Sequence, residues 1–170
     1  MRRWSKLIAL VVMVLGLVNV AVGITFIAIG ADKHQYLIST MKTEQITLGI
    51  PDQSIAQGEV IDTMGEAQIA GDIVRSHRHQ IAPTYGDLLG GEKFDPGDPR
   101  QLTYAQAMNI ENYLYLAVAS FGLTYLSVGA GVALLLGGIA VIGVALLLYA
   151  WARRAYAAAP EPSTIEARGT

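Results

Sequence analysis

Residues 113–151 read YLYLAVASFGLTYLSVGAGVALLLGGIAVIGVALLLYAW and contain no charged side chain. One helical crossing of a bilayer needs about 20 apolar residues. These 39 residues are therefore too many for one crossing and barely enough for two with a turn. A second uncharged stretch, residues 7–30, has 24 residues, which suffices for one tilted crossing. The two stretches predict a protein built on apolar membrane helices.

The overall composition agrees with this prediction. Of the 170 residues, 52% are hydrophobic and only 15% are charged, whereas soluble domains carry about 25% charged residues. The chain has no cysteine, which excludes disulfides, thiolate chemistry, cysteine-based zinc sites and iron–sulfur clusters.

The first stretch has two interpretations. Residues 1–6 resemble the basic start of a signal peptide, and Ala28-Ile29-Gly30 resembles a cleavage site. A signal peptide, however, usually has an apolar core of about 7–15 residues. The length of residues 7–30 favours an uncleaved anchor helix.

Charge at the two ends decides the number of crossings. Basic residues lie before the first stretch and after the second: Arg2, Arg3, Lys6, Arg153 and Arg154. The positive-inside rule places both ends in the cytoplasm, so the number of crossings is even. A split at Gly129-Ala130-Gly131 would make three crossings and export the arginine pair, so we predict two.

This topology divides the chain into five parts. We predict a cytoplasmic N-terminal tail (1–6), a first transmembrane helix (7–30), an extracytoplasmic helical domain (31–127), a second transmembrane helix (128–151) and a disordered cytoplasmic C-terminal tail (152–170). The predicted location is the plasma membrane of a bacterium. The predicted fold class is an all-α membrane protein whose two transmembrane helices extend into an outer helical bundle.

The outer segment has local signals for helices and turns. Residues 32–45 continue the first membrane helix, and residues 46–51 are extended because glycine and proline interrupt the helix. Thr63-x-x-Glu66 has the spacing of a capping box and precedes a helix that runs to residue 81. Thr84-x-x-Asp87 starts one short helical turn, and a loop around residues 94–98 leads into a long final helix that begins at residue 99 or 100.

The outer segment is also acidic. Residues 31–112 contain six basic and twelve acidic residues, a net charge of −6. This charge argues against binding of nucleic acid or anionic lipid at this part of the chain.

Small residues recur every seventh position in both apolar regions. The first has Ala9, Gly16, Gly23 and Gly30, with Asn19 at an alternate position. In the second, a heptad seam that starts at Ala105 passes through Tyr115, Ala119, Gly122, Gly129 and Ala133. Small residues let helix backbones approach closely in lipid. The stripes are interpreted as a surface where the two helices of one chain pack, with an oligomer or partner interface as the alternative.

Candidate chemical residues are few and isolated. His77 and His79 are two positions apart and point in different directions on a helix, so they form a poor metal-chelating pair. Asp95 and Asp98 lack the spacing of a calcium loop and are typical of turns. The sequence contains no phosphate-binding loop, nucleophile elbow or zinc-protease motif. We therefore expect no cofactor, no bound metal and no enzymatic activity.

The order of several short motifs resembles a known type of protein. A membrane helix is followed by Tyr36-Leu37-x-x-x-Met41-x-x-Glu44-x-Ile46-Thr47, then by residues 84–88 (TYGDL) and residues 119–122 (ASFG) before a glycine-rich helix. This order is similar to an uncharacterised family of small two-pass bacterial membrane proteins, best represented in actinobacteria. The chain departs from that pattern at residues 111–114 (ENYL), where the family would have an arginine. The resemblance implies the two-pass topology with a helical extracytoplasmic segment and no specific activity.

Two functions fit these features. The first is a structural or accessory membrane protein, embedded in the lipid bilayer, that contacts another membrane protein or a second copy of itself as a small subunit of a larger complex. The alternative is a homo-oligomeric small pore or transporter component, with Asn19, Ser120 and Thr124 lining a path. Residues 113–127, the part of the uncharged stretch that one membrane crossing does not need, are the predicted contact region.

Overall fold

The computed structural model describes residues 2–47 and 58–157. They form four α-helices: α1 (Arg2–Glu44), α2 (Met64–Ile81), α3 (Tyr85–Leu89) and α4 (Pro99–Ala157). In these two ranges the only bridge of the β type is a single antiparallel pair, Thr47 with Val60. The all-α fold is therefore confirmed.

The two long helices contain both uncharged stretches. Helix α1 has 43 residues and continues past Gly30 to Glu44 as expected, and α4 has 59 residues. Each contains an 18-residue window with a mean hydropathy of 2.8 or 2.7, respectively. By length and composition, both helices are long and apolar enough to cross a membrane.

One boundary differs from the prediction. Helix α4 continues to Ala157, so the expected disordered tail is wrong for residues 152–157. Alanine, arginine and tyrosine follow one another there without glycine or proline, and nothing in that run stops a helix. Residues 158–170 lie outside the described residues, as do residues 48–51 of the predicted extended segment.

The shorter elements begin where their caps predict. Thr63 Oγ1 accepts a hydrogen bond from the Glu66 backbone N–H (3.2 Å), and Glu66 Oε2 accepts one from the Thr63 N–H (3.0 Å), which confirms the capping box. Thr84 Oγ1 accepts a hydrogen bond from the Asp87 backbone N–H (3.1 Å) and so caps the start of α3. Helix α3 then ends at Gly90, whose φ of 58° suits glycine because it has no side chain.

The chain divides into two compact units. Among the described residues, the first consists of residues 2–26 and 130–157, and the second is Ile27–Gly129. In the second unit, α2 packs against α1 and α4 through small residues that are fully buried, Ala67 and Ala70. Its core is completed by the following buried side chains: Met41, Ile61, Leu114 and Phe121.

A second cluster lies at the beginning of α4. Tyr104 is fully buried and packs with Ala82 and Leu88. Arg100 also donates a hydrogen bond to the Ile81 carbonyl oxygen. These contacts hold the end of α2 and helix α3 against the first turns of α4.

Candidate interaction surface

In the first unit, the small residues of α1 face α4. Ala9, Gly16 and Gly23 are all buried. A Cβ atom built on Gly23 would lie 2.7 Å from the backbone oxygen of Gly131 and 2.7 Å from the backbone nitrogen of Leu135. Only a residue without a side chain permits this approach. The α1 stripe therefore packs on α4 of the same chain.

Helix α4 uses a different seam from the predicted one. Within the first unit, its buried positions are Gly131, Gly138, Ala145 and Ala152, again spaced by seven. A Cβ atom on Gly138 would lie 2.8 Å from the Gly16 carbonyl oxygen. The seam read from Ala105 is thus wrong as the surface that packs on α1. Helix α4 contains two small-residue heptad stripes, and composition alone does not say which one faces inward.

The predicted α4 stripe is mostly turned outward. Ala119, Gly129 and Ala133 are exposed, and Gly122 is half-buried. A Cβ atom on Gly122 or Gly129 would have no neighbour within 4 Å in the described structure. The same positions stay predicted as an interface with a partner.

The residues of the pore alternative have ordinary helical environments. Asn19 is half-buried in the first unit. In the second unit, Ser120 donates to the Leu116 carbonyl (2.8 Å) and the buried Thr124 donates to the Phe121 carbonyl (2.7 Å). His34 Nδ1 lies 3.2 Å from Thr124 Oγ1. Hydrogen bonds to the preceding turn are a general way for serine and threonine to be satisfied in helices, so they do not favour a path for ions.

The most polar site of the second unit is a buried carboxylate that receives two arginines. Glu111 of α4 is 5% exposed. Arg75 Nε donates to its Oε1 (2.9 Å), and Arg78 Nε donates to its Oε2 (2.7 Å). Arg78 also donates to the hydroxyl of buried Tyr104. This cluster, Glu111 with Arg75, Arg78 and Tyr104, joins α2 to α4 and is called the charge cluster below.

Tyr115 extends the contact between the same two helices. Its hydroxyl donates to Asp72 Oδ1 (2.6 Å), and the Arg75 guanidinium lies 4.6 Å from the centre of its ring. Its ring packs closely on Gly71 of α2, where a Cβ atom would be 3.0 Å from the Tyr115 Cε1 atom. The structure places this predicted interface residue against α2 of the same chain.

The contacts shift the pKa values of these groups. Burial opposes ionisation of Glu111, but the hydrogen bonds and charges of Arg78 and Arg75 outweigh it and lower its pKa. The hydrogen bond from Tyr115 lowers the pKa of Asp72. Burial, aided by Asp72, raises the pKa of Tyr115 to about 12. At neutral pH, Glu111 and Asp72 are therefore ionised and Tyr115 is neutral.

The lowered pKa values predict acid sensitivity. A carboxyl group whose pKa is lower when folded stabilises the fold above its unfolded pKa, and this contribution is lost as pH falls through the folded pKa. We expect the melting temperature of the detergent-solubilised protein to fall below about pH 4.5, the ordinary value for Glu111. Circular dichroism melts between pH 7 and pH 3 measure this. A melting temperature that stays constant over that range contradicts it, and the Glu111→Gln variant should show a weaker pH dependence.

The other polar residues singled out in the sequence have local roles. His77 and His79 are exposed, while Arg78 between them turns inward to Glu111. Asp95 Oδ1 accepts the Gly97 N–H and Asp98 Oδ1 accepts the Arg100 N–H, each at 2.8 Å. The turn interpretation of these two aspartates is therefore confirmed. The described residues include no group of three or more acidic or histidine side chains placed to hold a metal ion.

One face of α4 in the second unit is apolar and exposed. Ile110, Tyr113, Leu116 and Leu123 have between 50% and 71% of their surface exposed. Large apolar side chains that adjoin one another on a surface are typical of sites that bind other molecules. We call these four residues the α4 outer face.

Two apolar grooves flank this part of α4. One, of about 370 Å³, lies beside Tyr113 and Ile110 and is completed by Met41, Ile46, Thr47, Leu114 and Ala117. The other, of about 300 Å³, lies between residues 29–37 of α1 and residues 120–127 of α4. We call the second one the 30/124 groove after Gly30 and Thr124 in its wall.

Sequence reasoning missed the charge cluster. A signal was available, because Arg75 and Arg78 are three positions apart on α2 and lie on one side of a helix. Glu111, however, lies more than 30 residues further along the chain, and helical periodicity says nothing about such a pairing.

Comparison with family models, with curated proteins and with solved structures gives no match to this chain.

Proposed function

We propose that this chain is a two-pass integral protein of a bacterial plasma membrane, with both termini in the cytoplasm and residues 31–127 outside. It acts there as an accessory subunit that binds another membrane protein. We also propose that it is related to the small two-pass actinobacterial proteins that its motifs resemble.

Exposure of the long helices supports insertion in a membrane. Only 17% of the most apolar window of each helix is buried within the chain. A core helix of a soluble protein would bury most of such a window, because exposure of apolar surface to water is unfavourable. A surrounding bilayer removes this cost, and the small-residue packing of α1 on α4 is the kind that lipid favours.

The observation that carries the accessory role is the α4 outer face. It lies in the part of α4 that exceeds the length needed for one crossing, so lipid does not cover all of it under the proposed topology. Tyr113 and Leu116 are 71% and 62% exposed. A partner that buries these side chains would gain about 1.5–3 kcal/mol for each large apolar side chain.

Site-specific photo-crosslinking tests this proposal. A photoreactive residue at Ile110 or Leu116 should form one defined adduct in intact cells. The matched control is Gln106, which is exposed and polar on the same helix, and it should form none. Absence of adducts at all three sites, together with a monomeric protein after detergent extraction, would contradict the accessory role. An adduct of twice the chain mass would identify the partner as a second copy.

A further inference from the structure

The 30/124 groove has a chemical gradient along its length. At one end it is lined by Ile29 and Ser127, and at the other by Tyr36 and Ser120. Leu123 and Leu37 make its walls apolar, and Lys33 is the one charged residue of its lining. Lys33 itself lies between the two ends, but its Nζ is 5.8 Å from the centre of the Tyr36 ring, so the positive charge lies toward the Tyr36 end. A groove that is apolar at one end and cationic toward the other matches a lipid molecule, which has apolar acyl chains and a charged head group.

The position of the groove agrees with such an occupant. Gly30 is the last residue of the uncharged stretch, and the predicted second transmembrane helix begins at residue 128. Under the proposed topology the groove therefore crosses the outer boundary of the hydrocarbon layer. Its end near Ile29 lies at the level of acyl chains, and its end near Lys33 lies at the level of head groups.

The charge next to the groove selects among lipid head groups. Lys33 Nζ lies 2.9 Å from Asp32 Oδ2, and both side chains are exposed. A head group that carries a phosphate and a primary ammonium can pair its phosphate with Lys33 and its ammonium with Asp32. An anionic head group without an amine would meet the Asp32 carboxylate and the net charge of −6 of residues 31–112.

We propose that the 30/124 groove binds one zwitterionic phospholipid of the outer leaflet, with phosphatidylethanolamine chemistry. The inference depends on the membrane insertion under "Proposed function" and does not depend on the protein partner. The acyl chain lies between Ile29 and Leu123, and the head group replaces the contact between Asp32 and Lys33.

Native mass spectrometry of the full chain in dodecyl maltoside tests the head-group preference. We expect dioleoyl phosphatidylethanolamine to bind about fivefold more tightly than dioleoyl phosphatidylglycerol, the effect of one charge near a membrane surface. Lys33→Gln should weaken phosphatidylethanolamine binding about fivefold. Asp32→Asn should remove the preference between the two lipids. Equal affinity of the unchanged protein for both lipids, or tighter binding of phosphatidylglycerol, overturns the proposal.

A second pair of variants tests the place of binding. Ser120→Phe puts a ring into the groove and should abolish the specific lipid adduct, whereas Ala119→Phe, on the adjacent exposed position, should retain it. An adduct that survives Ser120→Phe in a variant with an unchanged melting temperature overturns the assignment to this groove. If Ser120→Phe lowers the melting temperature, the place of binding is tested by Lys33→Gln and Asp32→Asn, because these variants change only exposed side chains.

Alkaline extraction of membranes separates the two proposals. Release of the chain by carbonate would contradict membrane insertion and with it the lipid site. A chain that stays in the membrane but shows no head-group preference leaves the proposed function standing and overturns the lipid site alone.

Discussion

Replacement of Glu111 by alanine is expected to lower the free energy of unfolding of the second unit, Ile27–Gly129, by about 3–5 kcal/mol, the usual effect of removing one partner of a buried ion pair. Glu111 is 5% exposed and is the shared acceptor of Arg75 and Arg78. Without it, the Arg78 guanidinium, whose side chain is only 12% exposed, stays buried with no opposite charge. Thermal or chemical unfolding followed by circular dichroism measures the change.

The control for this prediction is Glu92→Ala, because Glu92 is an exposed carboxylate in the loop that follows α3. It should change stability by less than about 0.5 kcal/mol. A double variant, Glu111→Met with Arg78→Met, should recover most of the loss, since apolar residues of similar size often replace a buried ion pair without cost. A single Glu111→Ala variant as stable as the unchanged protein would contradict the structural role of the charge cluster.

Replacement of Gly23 by leucine is expected to separate α1 from α4 in the first unit. Its Cβ atom alone would lie 2.7 Å from the Gly131 backbone oxygen, so the two backbones must move apart. Overpacking of this kind costs about 1–3 kcal/mol and sometimes more. Unfolding of the protein by sodium dodecyl sulfate in mixed micelles measures the loss.

The matched control is Gly137→Leu, on α4 in the same unit. Gly137 is exposed, and a Cβ atom there meets nothing within 4 Å. Leucine at this position should leave stability unchanged or slightly raise it, because it removes a flexible glycine from a helix. Equal effects of the two substitutions would contradict the α1–α4 packing described above.

The elements of the fold followed from local signals in the sequence. The capping box at Thr63 depends on residues three positions apart, and the long helices depend on uncharged runs without proline. Such signals act within one or two turns of chain, so they predict where a helix begins even when its neighbours are unknown. The end of α4 was missed because the residues after Trp151 have no strong signal to stop a helix.

The helix faces were harder to predict. The heptad stripe of α1 packs on α4 of the same chain, and it is the one regular stripe of small residues in that helix. Helix α4 has two such stripes, one through Gly122 and Gly129 and one through Gly131 and Gly138. Small residues permit two helices to approach closely but do not require it. Which side of α4 faces inward depends on its contacts with the rest of the chain.

The uncharged stretch at residues 113–151, by itself, determined that this protein has an apolar helix far longer than one membrane crossing. Charged residues and prolines affect a helix only within a few turns of the chain, so their absence from this stretch was enough to predict it. Tertiary structure alone decided which side of that helix is buried. Contacts with α1 selected the Gly131 stripe, and contacts with α2 enclosed Glu111 between two arginines. Both arrangements bring together residues that are distant in the chain. They are stabilised by close packing and by the pairing of buried charges, and a local sequence pattern predicts neither.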